Sequence, residues 1–63
     1  MEPEEIVRKL RRTIYKFTYA HKVKSDLKSL DEEIRDDVRR KLRSAMLQPE
    51  NKDISDVLRQ IIT

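Results

Sequence analysis

The amino-acid sequence predicts an all-α domain over residues 1–63, an antiparallel three-helix bundle with helices at about 3–25, 30–47 and 53–62. Apolar residues recur at three- and four-residue intervals in three separate segments, the pattern of helices that each bury one side. Glycine is absent and proline occurs only twice, so little interrupts a long helix. The links between segments are short, which returns each helix alongside its neighbour.

The first helix is expected to start at Pro3, since proline suits the first helical position, where its missing N–H has no intrahelical partner. Glu4 and Glu5 then lie at the positive end of the helix dipole. Ile6, Leu10, Ile14 and Phe17 form the apolar stripe, with Val7 beside them and Ala20 continuing it. From Lys22 onward the phase weakens, because Val23 and Leu27 lie well round from Ile6. The helix is therefore expected to end or kink between His21 and Lys28. Residues 14–19, IYKFTY, compete as a strand, being β-branched and aromatic with Tyr15, Phe17 and Tyr19 alternating against Lys16 and Thr18. A lone strand leaves its own backbone unpaired and no later segment offers a partner, so helix is preferred unless a second molecule supplies one.

The segment from Ser29 to Met46 carries the fullest helix signature, and the others are expected to pack around it. Leu30, Ile34, Val38, Leu42, Ala45 and Met46 fall on one side. Ser29 and Glu32 have the spacing of a capping box, with Asp31 a competing N-cap. Acids fill its first half (Asp31, Glu32, Glu33, Asp36, Asp37) and bases its second (Arg39, Arg40, Lys41, Arg43), the order that complements the dipole. Asp36 with Arg40 and Asp37 with Lys41 are placed for i,i+4 pairing, and Pro49 prevents continuation. In the third helix, Ile54, Val57, Leu58, Ile61 and Ile62 make a dense apolar face, with Asn51 or Asp53 as the cap. About ten residues cannot form a stable helix alone, so this one must dock.

A chain of 63 residues buries only about 60% of the surface its unfolded form exposes, so its core is thin. Small domains compensate with disulfides, a metal or self-association. With no cysteine and a single histidine, His21, the first two are excluded, which leaves very regular helix packing or self-association. There is no apolar run long enough for a membrane span or a signal-peptide core, and the chain reads as a soluble cytoplasmic protein. Charged residues make up 43% of the chain, 15 bases against 12 acids, for a net charge of +3. That balance falls short of the signature of a dedicated nucleic-acid binder, although the bases concentrate between Arg8 and Lys28, where Asp26 is the only acid.

No enzymatic chemistry is expected. The chain lacks a glycine-rich phosphate loop and a thiol nucleophile, and one histidine does not build a zinc or haem site. His21 is read as a boundary or surface residue. The carboxylates of DEEIRDD are interleaved with arginines and read as a solvated, salt-bridged face rather than a metal site. No cofactor and no small-molecule substrate are expected. On a continuous first helix, Arg8, Arg11, Arg12, Tyr15, Tyr19 and Lys22 converge on one outward face. They combine donors for phosphate with rings able to stack on bases, but a surface where the tyrosines pack on another subunit is the preferred reading.

Residues 15–42, YKFTYAHKVKSDLKSLDEEIRDDVRRKL, resemble the N-terminal part of RelE/ParE-type toxins. The matching features are a first strand ending in Phe17 and Tyr19, a helix with Asp26, Leu27 and Leu30, a short turn, and a second helix with Ile34, Val38 and Leu42. Those toxins continue into antiparallel strands that carry the residues for ribosome-dependent RNA cleavage or gyrase-directed action, whereas here one short helix follows. No catalytic residue carries over, so the resemblance implies a relic or a partner-binding derivative, or a toxin-like fold completed by strand exchange between subunits. The leading expectation is a non-enzymatic, self-associating protein-interaction module, with Leu47, Ile61, Ile62, Tyr15 and Tyr19 as interface candidates. The alternative is an RNA- or DNA-binding protein using the face from Arg8 to Lys22.

Overall fold

The computed structural model describes residues 1–63 and is helical without a strand. It holds α1 (Pro3–Arg12), α2 (Lys16–Lys28), α3 (Glu32–Met46), a 3₁₀ turn (Pro49–Ile54) and α4 (Ser55–Ile62). The expected all-α bundle is present, with four α-helices rather than three.

The extra helix comes from a break at Thr13–Tyr15, well before the expected end or kink between His21 and Lys28. Neither glycine nor proline causes it. Thr13 turns extended (φ −93°, ψ 145°) while its N–H still bonds to the Lys9 carbonyl. Its hydroxyl accepts from the Tyr15 N–H at 3.0 Å, and its carbonyl accepts from Lys16 Nζ at 3.0 Å. Threonine side chains offer the backbone this local alternative to a helical turn, and the adjacent β-branched Ile14 adds little helix propensity to oppose it. Dimensions give the tertiary reason. A continuous helix over residues 3–25 would run about 34 Å at 1.5 Å per residue, longer than the 29 Å longest extent of the fold. Folding back lets Ile6 and Leu10 of α1 and Ala20, Val23 and Leu27 of α2 all enter one core. The drift in phase between Ile6 and Val23 is therefore the trace of two helices. Residues 14–19 are the corner and the first turn of α2, so neither the continuous helix nor the strand implied by the toxin resemblance forms there.

The break also corrects the expected core. Ile14 is 84% exposed and Phe17 57%, and Ile34, assigned to the buried side of α3, is 50% exposed. α3 otherwise follows expectation, with Val38 and Leu42 buried and Leu30, Ala45 and Met46 packed against the core. Asp31 rather than Ser29 takes the N-cap position, and Ser29 instead ends α2. No helix start receives a side-chain cap bond. Asp37 pairs with Lys41 at 3.1 Å and Arg40 at 3.5 Å, and no Asp36–Arg40 bridge forms.

The centre of the molecule is α4, the shortest α-helix, rather than α3. It packs against both α2 and α3, which barely touch each other, while α1 lies across α2 and α3. α4 contributes Val57, Leu58 and Ile61 to the eleven-residue core, as many as α2, and the 3₁₀ turn leading into it adds Ile54. Ile61 is fully buried and Ile62 packs against the core, so the apolar surface expected at the C-terminal helix is spent on folding. Of the apolar interface candidates only Leu47, 75% exposed, stays on the surface. No helix is long and apolar enough to cross a membrane.

Candidate interaction surface

Residues 8–22 hold the surface expected from the sequence, and the break at Thr13–Tyr15 redistributes it. Arg8 and Arg12 are exposed near the end of α1 and form no ion pair. Tyr15 is 69% exposed at the corner. Arg11, Tyr19 and Lys22 go elsewhere, so the six residues do not share one face.

Arg11 stays exposed but is tied to the 3₁₀ turn. Its Nη2 donates to the Glu50 carbonyl and to Asn51 Oδ1, and its Nη1 lies 3.7 Å from Asp53 Oδ2. Asn51 is the only buried polar residue, 4% exposed. Its Nδ2 donates to the Ala45 carbonyl at 2.9 Å and to Gln48 Oε1 at 3.3 Å. Burying an amide is tolerated when its hydrogen bonds are made, and here both ends of the amide are used. One side chain therefore ties the end of α3 to α1 through Arg11. The sequence marks Asn51 only as a helix cap, because its partner lies forty residues away.

Tyr19 and Lys22 line a shallow cleft of about 190 Å³ between α1 and α2, together with Glu5, Lys9 and Asp26. Lys9 and Glu5 form an exposed pair at 3.7 Å. Burial raises the Tyr19 phenol above its ordinary value of 10.0, and the nearby Glu5 and Asp26 carboxylates push the same way, since each disfavours a second negative charge. Tyr19 is thus a neutral, half-buried ring packed on the core.

A larger open groove of about 700 Å³ runs between α1, the end of α3 and the 3₁₀ turn. Glu4, Glu50, Arg11 and Lys41 line it with charges of both signs, and only Val7 and Ala45 are apolar. Sites for small molecules are mostly apolar with a few placed polar groups, whereas this groove is lined mainly by charged and polar residues whose surface is of mixed character. No group of three or more histidine, cysteine or carboxylate side chains gathers where a metal would bind. The Nε atoms of Arg35 and Arg39, one turn apart on α3, are shielded without a hydrogen-bond partner, their stems lying along the bundle.

What remains is the corner itself. Ile14, Tyr15 and Phe17 expose large apolar side chains within four residues, bordered by Arg12 and by Lys16, whose ammonium binds the loop carbonyl. Side chains of this size bury about 150–250 Å² each, so the exposed portions together present on the order of 400 Å², comparable to the largest apolar patch of an ordinary monomer. Sequence reading assigned Ile14 and Phe17 to the core and so found only Tyr15 of the three. The fold and this surface define a small helical domain with an apolar corner among basic side chains. The chain matches no protein-family model, no curated protein and no solved structure.

Proposed function

We propose that the chain is a protein-interaction module that works by contact rather than catalysis and associates with itself through the corner of Ile14, Tyr15 and Phe17. The observation that carries this reading is the apolar exposure at one corner of a chain whose core has only eleven side chains. The local chemistry of Tyr15 adds support. It occupies the N-cap position of α2 and makes no cap bond, where serine or aspartate would stabilise the helix by roughly 1 kcal/mol. A partner contact would supply a reason for an exposed ring at a position where a small polar residue would serve the helix better.

Sedimentation equilibrium across protein concentration tests the reading, with wild type compared to Tyr15→Ser and Phe17→Ser. The expected result is reversible association of the wild type, weakened about tenfold or more in each variant, with thermal stability kept or raised in Tyr15→Ser. A wild type that stays monomeric, or variants that associate equally well, refutes it. RNA or DNA binding is the second reading, favoured by the exposed Tyr15 and Phe17 rings beside Arg8, Arg12 and Lys16. It has lost Arg11 to the Asn51 contact and Tyr19 to the core, and Ile14, the most exposed apolar residue of the chain, offers no ring to stack on a base. Polyanion binding that falls steeply with salt would favour it.

A further inference from the structure

The exposed apolar residue Ile34 lies on the first turn of α3 among Asp31, Glu32, Glu33 and Asp36, all exposed and none of them in an ion pair within the fold. It mirrors the corner, where Ile14, Tyr15 and Phe17 adjoin Arg12 and Lys16, which also lack an acidic partner. From this complementarity, and resting on the self-association proposed above, we infer that the corner of one copy docks on the acidic first turn of α3 in a second copy. Each apolar patch then covers the other while the surrounding charges pair.

Geometry keeps the two patches apart within a single chain. The thirteen residues of α2 separate the corner from the α2–α3 turn by about 20 Å at the helical rise of 1.5 Å per residue, most of the 29 Å length of the fold. The two patches therefore pair only between copies, the corner of one meeting the α3 turn of the other. Opposite charge around the apolar centre sets the register and penalises corner-to-corner or turn-to-turn pairing, each of which would bring like charges together. Apart from Lys16, which is half-buried and bonds the Thr13 carbonyl, the charges of both patches lie on exposed side chains, and none of them belongs to the core.

Charge reversal followed by mixing tests the inference. The first variant carries Arg12→Glu and Lys16→Glu, and the second Glu33→Lys and Asp36→Lys. Each is expected to self-associate at least about tenfold more weakly than wild type, because the first sets an acidic corner against the acidic turn and the second cancels the charge of the turn. An equimolar mixture of the two is expected to recover association, since the unaltered basic corner of the second variant again meets the unaltered acidic turn of the first. Wild-type association is also expected to weaken between about 0.05 M and about 0.5 M salt, as screening shortens the reach of the paired charges, and this measurement needs no variant to fold. Variants that associate like wild type, a mixture without recovery, or salt-independent association overturns the inference and leaves the corner as an interface of another geometry. A monomeric wild type removes instead the self-association on which the inference rests.

Discussion

Replacing Ile14 by alanine separates the two ways in which the first twenty-five residues can fold. On one continuous helix Ile14 stands in the same stripe as Leu10, and truncating either would remove a buried aliphatic side chain at about 2–5 kcal/mol. In the structure Leu10 is fully buried and Ile14 is 84% exposed. Leu10→Ala keeps the full cost, while Ile14→Ala retains about a sixth of it, under about 0.8 kcal/mol. A 63-residue chain at about 0.05–0.15 kcal/mol per residue has roughly 3–9 kcal/mol in total, so the first substitution removes a large fraction and the second almost nothing. One kcal/mol shifts Tm by about 4–8 °C in a domain of this size, which makes the expected changes roughly 10 °C or more against less than about 6 °C. Urea unfolding followed by far-UV circular dichroism measures both, at a protein concentration low enough to keep copies apart. A loss above about 2 kcal/mol for Ile14→Ala, unchanged on further dilution, would refute the break at Thr13–Tyr15.

Other predictions address the remaining contacts. Asn51→Ala removes the hydrogen bonds that the buried amide makes to the Ala45 carbonyl and to Arg11 and should cost about 1–3 kcal/mol. An additional Arg11→Ala should then add less than it does alone, a non-additivity that a double-mutant cycle reads directly. Leu58→Ala, at the fully buried centre of α4, should lose about 2–5 kcal/mol, a large fraction of the total, whereas Leu47→Ala should be within about 0.5 kcal/mol of wild type. Because the folded state raises the Tyr19 phenol, its contribution is intact below the unfolded value near 10 and is lost as pH rises through the folded value. There the unfolded chain releases a proton that the folded chain retains. Melting curves from pH 8 to 11 should therefore fall more steeply for wild type than for Tyr19→Phe, and parallel curves would show that the ring is not protected. Arg39→Met keeps the aliphatic stem and removes the shielded, unpaired Nε, so it should leave stability unchanged or raise it. A loss above about 1 kcal/mol would show that the guanidinium is paired in solution.

Helix content, the start at Pro3, the body of α3 and the docking of the C-terminal segment were legible in the chain, because each rests on local chemistry. Spacing of Val38 and Leu42, the dipole-matched charges of α3 and the stop before Pro49 involve residues only a few positions apart, and local interactions of that range act alike in any fold. The break at Thr13–Tyr15 was only half legible. Its symptom, the mismatch in phase between Ile6 and Val23, stood in the sequence, but its position depended on how much length the bundle could accommodate. That constraint belongs to the packed molecule and not to any window of residues.

The candidate surface shows the same division more sharply. Composition and the apolar repeat determined by themselves that this chain forms helices with little core and without crosslinks. Which apolar side chains would be left outside was decided only in three dimensions. Ile61 and Ile14 both fit helical stripes, yet α4 inserts between α2 and α3 and buries the first, while the corner carries the second into solvent. Arg11 and Arg12 are neighbours of identical chemistry, and a residue forty positions away ties down only Arg11. Burial depends on what lies across from a side chain, and in this protein the elements that lie across are contributed by the distant, shortest helix.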